Sequence, residues 1–403
     1  MRPFDGRRVI LGVTGGIACY KAVSIARLLT QAGAVVDVIL TRAAREFVGA
    51  ITFEAVTGRP IVPDILDAGH ALSHIRLAKE AELVLVAPAT ADLLARAAEG
   101  RADDQLTALL LATRAPVLIA PAMNDGMWAH ALVGRNVQVL RETCGYIVLD
   151  PAIGPLAFGE GVGPGRLPEP EAIVAHAARA LETARGLAGR RIVVTAGPTR
   201  EAIDPVRYLT NYSSGRMGVA IAAAAWRRGA HVTLVHGPLE VAVPPGVDAV
   251  SVTTTAEMRD AVAAALPPAD ALVMAAAPAD FRAAEEAPHK LKKGATAPTI
   301  VLAHTDDILA TTRDLRKPGA VVMGFALETS NLEEHARAKL AAKSLDFIVA
   351  NDATEPGAGF GTDTNRVIVL DAQGGREALP MMPKVELADV LLDRIARELE
   401  ARG

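Results

Sequence analysis

A chain of 403 residues is long enough for two sizeable domains, each able to bury its own core. At 51% hydrophobic and 22% charged residues it is not a disordered chain, and 42 Lys+Arg against 46 Asp+Glu, a net charge of −4, ask for neither nucleic acid nor an anionic membrane. Two cysteines cannot build a disulfide framework or a cysteine-rich zinc site, which fits a reducing cytoplasm. No apolar run approaches the ~18 residues that span a bilayer, and MRPFDGRRVILGV at the N-terminus lacks a signal-peptide cleavage site.

In chain order, RVILGVT (8 to 14) predicts a strand that breaks at Gly15-Gly16 into the helical pattern IACYKAVSIARLLTQAG. Strands follow at VVDVILT (35 to 41), LVLVAPAT (83 to 90), VLIAPAM (117 to 123) and YIVLD (146 to 150), with helical HIRLAKEA and ADLLARAAEG between them. Unalternating apolar strands separated by helices predict a parallel sheet covered on both faces. The Gly- and Pro-rich segment 151 to 170 reads as a loop, and EAIVAHAARALETARG as a closing helix.

RRIVVT (190 to 195) then restarts the pattern, through a GPTRE turn, the helix SGRMGVAIAAAAWRRGA, strands HVTLVHG, ALVMAAA, VVMGFAL, FIVAND and RVIVLD, and the final helix VELADVLLDRIARELEA. The prediction is α/β: two tandem Rossmann-like, doubly wound parallel-sheet domains, residues 1–188 and 189–403. In such sheets ligands sit beyond the C-terminal strand ends.

The unusual motifs fall at those ends. Gly12, Gly15 and Gly16 let a backbone approach a phosphate at a helix N-terminus, although a plain tight turn needs the same residues. Thr41 and Thr90 place hydroxyls at two further strand ends, where they contact a ligand or cap a helix. PAMNDGMW (121 to 128) sets the amide of Asn124, a donor and an acceptor, over the sheet edge.

With His74 and APATAD these motifs resemble the flavin-dependent cysteine decarboxylases, over about the first 180 residues. The resemblance implies that Gly15, Gly16, Ile17, Thr41, Thr90, Ala91, Asp92 and Ala122 hold FMN, that His74 is the catalytic histidine, and that Asn124 grips the substrate carboxylate. Decarboxylating an N-acylated cysteine needs an electron sink, which a flavin supplies. Relatives carry a cysteine in the glycine-rich flap, where Ala157-Phe158-Gly159 stands here; Cys19 and Cys144 read as small buried hydrophobes.

In the second half Ser213-Ser214-Gly215 with Arg216 forms an anion site or a simple N-cap. Asp280 is a magnesium ligand or a turn residue, and Lys290, Lys292 and Lys293 are mobile cations for a triphosphate or a solvated run. GPTRE (197 to 201), DPVRYLTNYSSGRMG (204 to 218), AAAPADF (275 to 281), HKLKK (289 to 293), GFALET (324 to 329) and FIVAND (347 to 352) together resemble the CTP-dependent phosphopantothenate–cysteine ligases.

That resemblance implies catalytic roles for Asn211 and Lys290, Mg2+ on Asp280, and substrate or CTP contacts from Arg207, Ala277, Asp280, Lys290, Asp306, Asp307, Ile308, Phe325, Lys339 and Lys343. The tandem order is similar to that of bacterial bifunctional enzymes of coenzyme A biosynthesis. It implies CTP-dependent ligation of phosphopantothenate to cysteine, then FMN-dependent decarboxylation, in a homo-oligomer with trimeric flavin and dimeric ligase domains. The alternative is a ligase whose flavin domain only binds and oligomerises.

Overall fold

The computed structural model describes residues 3–184, 186–292, 299–328, 330–352, 354–355, 357–359 and 361–402. The chain divides into two units, Met1–Thr183 and Ala184–Gly403.

In the first unit, β1 (Arg8–Val13), β2 (Val35–Leu40), β3 (Leu83–Ala89), β4 (Val117–Pro121) and β5 (Ile147–Val148) form a parallel sheet in the order β2-β1-β3-β4-β5. Helices α1 (Cys19–Gln31), α2 (Ala50–Thr57), α3 (Ser73–Glu80), α4 (Ala91–Ala98), α5 (Gln105–Ala112), α6 (Asp125–Trp128), α7 (Ala131–Glu142) and α8 (Pro170–Leu181) surround it. Alternation along β1 explains the two layers. Val9, Leu11 and Val13 join the core under α1, α2 and α8, whereas Ile10 joins the opposite core with Leu77, Leu93, Leu106 and Leu140. The chain leaves β1 towards β2 on one side and returns to β3 on the other, so a crevice opens past the C-terminal ends of β1 and β3.

The segment expected as a loop is an antiparallel hairpin, β6 (Ala152–Pro155) with β7 (Val162–Arg166). Proline is tolerated because a two-stranded ribbon is all edge. Two of its glycines are there for close approach. A Cβ at Gly165 would lie 2.2 Å from the Met123 carbonyl oxygen, and one at Gly163 2.8 Å from an Asp125 carboxylate oxygen.

The second unit comprises β8 (Arg191–Ala196), β9 (Arg200–Asp204), β10 (Arg207–Thr210), β11 (His231–His236), β12 (Asp248–Ser251), β13 (Ala271–Met274), β14 (Phe281–Ala283), β15 (Leu302–His304), β16 (Val321–Glu328), β17 (Phe347–Asp352), β18 (Thr364–Asp371) and β19 (Arg376–Pro383). Its helices are α9 (Arg216–Arg227), α10 (Thr255–Ala265), α11 (Ile308–Thr311), α12 (Leu332–Ala342) and α13 (Lys384–Ala401). The main sheet runs β12-β11-β8-β13-β16-β17-β18-β19, and its switch point lies between β8 and β13.

This sheet is parallel only as far as β17; β18 and β19 turn it into a mixed sheet. β19 was hidden in the sequence by the prolines of REALPMMP, which an edge strand accepts. GPTRE, expected as a turn, leads straight into the β9–β10 hairpin.

Candidate functional site

A cleft of about 440 Å³ lies at the switch point of the first sheet. Gly15, Gly16 and Ile17 form one lip, Pro88, Thr90 and Ala91 the second, Ala122, Met123 and Asn124 the third, and the hairpin residues Leu156, Ala157 and Glu160 stand on the remaining side.

Thr14, buried behind this lining, laces the two central strand ends together. Its hydroxyl donates to the Pro88 carbonyl at 2.8 Å and accepts from the Thr90 N–H at 3.0 Å. The glycine turn is stapled from below by Cys19, whose thiol donates to the Thr14 carbonyl at 2.9 Å and accepts from the Gly16 N–H at 3.4 Å. Burial pushes this thiol above its ordinary pKa. The two glycines differ in cause. A Cβ on Gly15 would lie 2.4 Å from the Ala43 methyl, whereas one on Gly16 would meet only Thr90 Cγ2 at 3.9 Å, so at Gly16 the adjacent space is open.

Asn124 caps α6, its Oδ1 accepting from the Gly126 N–H at 2.8 Å, so its amide nitrogen is the group left to donate. Thr90 both lines the cleft and caps α4 through Leu93 N–H at 3.3 Å. Lys21, 8% exposed, reaches from α1 to Glu169 at 3.1 Å, and Arg166 pairs with the same carboxylate.

Several expected residues stand outside this lining. Thr41 accepts from the Ala44 N–H at 3.3 Å, a capping contact. Asp92 is exposed and ion-paired with Arg96 at 3.0 Å. His74 sits in the first turn of α3, and its buried Nδ1 has no hydrogen-bond partner among the described residues. Phe158 is fully exposed at the hairpin tip. Cys19 is buried as expected, but Cys144 is exposed.

In the second unit two clefts, of about 310 and 230 Å³, share Ala276, Pro278, Asp280 and Phe325 as a common wall. Ala277 anchors that wall to the central strand, its N–H donating to the Gly197 carbonyl at 2.9 Å. The larger cleft adds Asn211, Ser213 to Met217, Lys339, Asn351, Asn365 and Lys384. The Asn211 amide nitrogen donates to the carbonyls of Ala277 at 2.9 Å and Pro278 at 3.1 Å, and its oxygen accepts from no group among the described residues.

Arg216 and Lys384 flank the start of α9. Arg216 pairs with Asp363 at 2.7 Å, and Lys384 donates to the carbonyls of Gly359 at 2.9 Å and Thr362 at 2.6 Å. Burial, reinforced by Arg216, pushes the Lys384 amine below its usual pKa. With the α9 N-terminus these cations make an anion-binding corner. Lys339 donates to Glu328 at 2.7 Å; burial alone would raise that carboxyl, yet the lysine holds it below its ordinary range.

The smaller cleft contains Asp306, Asp307, Ile308 and Lys343. Asp307 caps α11 through Ala310 N–H at 3.2 Å and pairs with Lys343 at 3.3 Å, while Asp306 pairs with Arg259. Among the described residues no group of three or more His, Cys, Asp or Glu could hold a metal ion by itself.

Lys290 and Arg207 line neither cleft: Lys290 is exposed, and Arg207 donates to the Leu291 carbonyl at 2.8 Å. Lys293 and Thr329 lie outside the described residues. Asn351 lies in the FIVAND motif but carries no expected role there, and Asn365 and Lys384 went unforeseen, because β18 and the start of α13 deliver them to the cleft.

Residues 2–182 match the family described as flavoprotein, and residues 187–399 the DNA/pantothenate metabolism flavoprotein C-terminal domain. The chain is 44% identical to the coenzyme A biosynthesis bifunctional protein CoaBC of Escherichia coli (strain K12) over 403 residues, 99% of this chain and 98% of that one. It is 45% identical to the protein of the same name from Bacillus subtilis (strain 168) over 397 residues, 97% of each. The crystal structure of the C-terminal domain of a CoaBC protein covers 54% of this chain and 99% of its own, at 39% identity and a TM-score of 0.47. The chain belongs to the family of coenzyme A biosynthesis bifunctional proteins. It is an enzyme with a flavoprotein decarboxylase domain followed by a ligase domain. A ligase with a merely structural flavin domain gains no support from these relatives.

Proposed function

We propose that this bifunctional enzyme uses CTP and Mg2+ to join phosphopantothenate to cysteine in its second unit, and FMN to decarboxylate the product in its first. The observation that carries the reading is the meeting of the glycine turn, APAT and PAMN motifs at the switch-point cleft of the first sheet, and of NYSSGRM, AAAPAD and GFAL at that of the second.

The first cleft fits a flavin. Open space beside Gly16 and the α1 N-terminus suit a phosphate, and Ile17, Met123, Met127 and Leu156 offer apolar contact to a ring. When bound, FMN supplies a hydride acceptor for the cysteine Cβ and later returns the hydride. Asn124 donates its amide N–H to the substrate carboxylate, and His74 moves the proton near the thiol. Because His74 stands outside the cleft of its own chain, while Ile17 and Tyr20 at the cleft mouth are 69% and 63% exposed, a trimer of flavin domains with FMN at the subunit boundary suits this surface.

In the second unit the larger cleft takes phosphopantothenate, its phosphate against Ser213, Ser214 and Arg216. The smaller takes the cytidine nucleotide beside Asp306, Asp307, Ile308 and Lys343. Asp280 and Phe325 mark where the two meet. Asp280 offers Mg2+ one carboxylate, the usual protein share when triphosphate oxygens and water complete the shell. Lys290 neutralises charge developing on departing pyrophosphate, Lys339 lies along the path, and the Asn211 oxygen orients the cysteine amine. A dimer of ligase domains and a cytoplasmic location complete the reading; among the described residues no helix is long and apolar enough to cross a membrane.

The test gives the full chain phosphopantothenate, cysteine, CTP and Mg2+, and follows pyrophosphate, CO2 and the flavin absorption band. Lys290→Gln blocks pyrophosphate release, and Asn211→Asp permits activation but stalls amide formation. Wild-type pyrophosphate release by the first removes the role given to Lys290, and wild-type ligation by the second the role given to Asn211; a colourless chain overturns the flavin assignment.

A further inference from the structure

We propose that Asp204 is a positioning residue for the nucleotide-dependent step, holding the backbone beside Lys290 through Leu291; this rests on the role given to Lys290 above. Asp204 ends β9, is 2% exposed and lines neither cleft. Its Oδ1 accepts the N–H groups of Val206 at 2.8 Å and Arg207 at 2.9 Å, folding the β9–β10 turn. Its Oδ2 reaches across 87 positions of sequence to accept the Leu291 N–H at 3.1 Å.

Arg207 closes the clamp from the other side. Its Nη2 donates to the Leu291 carbonyl at 2.8 Å, while Nη1 stands 3.6 Å from Asp204 Oδ2. Leu291 therefore has its backbone donor and its backbone acceptor both held, each by a group of opposite charge preference. Lys290 and Lys292, its two neighbours, are exposed. The same segment is tied once more to β9, the Ala287 N–H donating to the Ile203 carbonyl at 3.0 Å.

The other end of the hairpin explains what the clamp is for. β10 runs directly into Asn211, whose amide is bonded to the Ala277 and Pro278 carbonyls in the cleft wall. One hairpin thus fixes the Asn211 amide and the backbone beside the Lys290 amine. A lysine ammonium is a point charge on a flexible stem, so what the protein can preorganise is the position of its Cα. A buried carboxylate that touches no cleft, bonds three backbone N–H groups and grips the residue next to a mobile cation has that geometric task.

The experiment measures pyrophosphate release from CTP and phosphopantothenate by the full chain, as wild type, Asp204→Asn, Lys290→Gln and the double variant. It also measures trypsin cleavage after Lys290 and Lys292 against cleavage at other sites. Asp204→Asn is expected to lower kcat about ten- to a hundredfold, the effect of losing a charged hydrogen bond. It adds nothing in the Lys290→Gln background, and it speeds cleavage at those two lysines while leaving other sites alone.

Effects of Asp204→Asn and Lys290→Gln that multiply in the double variant overturn the proposal while leaving Lys290 its role. A wild-type rate for Lys290→Gln removes that role and the proposal with it. Unchanged cleavage in Asp204→Asn overturns the clamp itself. If Asp204→Asn does not fold, Arg207→Lys decides: it leaves the buried carboxylate and its three backbone N–H partners in place and loosens the hold on the Leu291 carbonyl together with the longer Arg207–Asp204 contact. Wild-type cleavage and rate in that variant overturn the proposal.

Discussion

Met123 donates its backbone N–H to the Gly165 carbonyl at 3.0 Å, and a Cβ on Gly165 would lie 2.2 Å from the Met123 oxygen. The hairpin and the strand end that carries Asn124 are thus in backbone contact, with no room for a methyl group.

Gly165→Ala is expected to force the hairpin off that strand end, weaken flavin retention and cut decarboxylation at least tenfold. Gly163→Ala has a milder effect, because its contacts with Asp125, at 2.8 Å or more, are longer than the 2.2 Å at Gly165 and fall on a side chain and not on backbone. Flavin absorbance after gel filtration and CO2 release check both. Equal behaviour of the two variants contradicts the contact.

His74→Asn is expected to retain the flavin and abolish CO2 release, because the ring moves a proton and lies outside the cleft lining. Asn124→Asp is expected to fail for a different reason. The new carboxylate loses the N–H donor and repels the substrate's own carboxylate. CO2 release at the wild-type rate from either variant removes that residue from the site.

Phe158 points into solvent at the hairpin tip, whereas Glu160 lines the cleft with no ion pair to another described residue. Glu160 is therefore expected to supply the proton that completes reduction of the decarboxylated product. Mass spectrometry should find a product lacking two hydrogens accumulating in Glu160→Gln but not in Phe158→Ala. The reverse pattern, or fully reduced product from both, refutes this.

Asp104 caps α5, accepting the Thr107 N–H at 2.8 Å, and pairs with Arg96 at 2.7 Å. Burial works to raise its pKa, but the Thr107 N–H and the Arg96 charge outweigh it and hold the carboxyl below its ordinary value. A depressed folded pKa stabilises above the unfolded value, and the stabilisation is lost as pH falls through the folded one. Asp104→Ala should cost about 1 kcal/mol at pH 7. The gap from wild type should shrink below about pH 4. Denaturant melts of the first unit at pH 7 and in acid check this; a gap independent of pH contradicts it.

The parallel cores and both glycine-rich strand ends were legible in the sequence, because apolar runs and close backbone approach are local properties. Gly15, Gly16, Ile17, Thr90, Ala91, Ala122 and Asn124 do meet at one cleft, and Asn211, Ala277, Asp280, Phe325 and Lys339 at another. Prolines concealed β7 and β19, since edge strands tolerate residues that interior strands reject. Thr41 and Asp92 share a motif's spacing without sharing its cleft: the first turns to a capping contact and the second to Arg96. Lys384 and Asn365 could not be found from spacing, since only the folded sheet brings them to the cleft at α9.

The range of positions that line each cleft also sets an order of assembly at the ribosome. The first cleft is complete once Leu167 has emerged, and its unit once Thr183 has; the larger cleft of the second unit waits for Lys384. At ordinary elongation rates that delay is about ten to forty seconds, during which a finished flavin-type fold trails an unfinished one. A message cut short after Asp371 would still encode every motif of the ligase half. It would lack β19, α13 and the lysine that closes the anion corner.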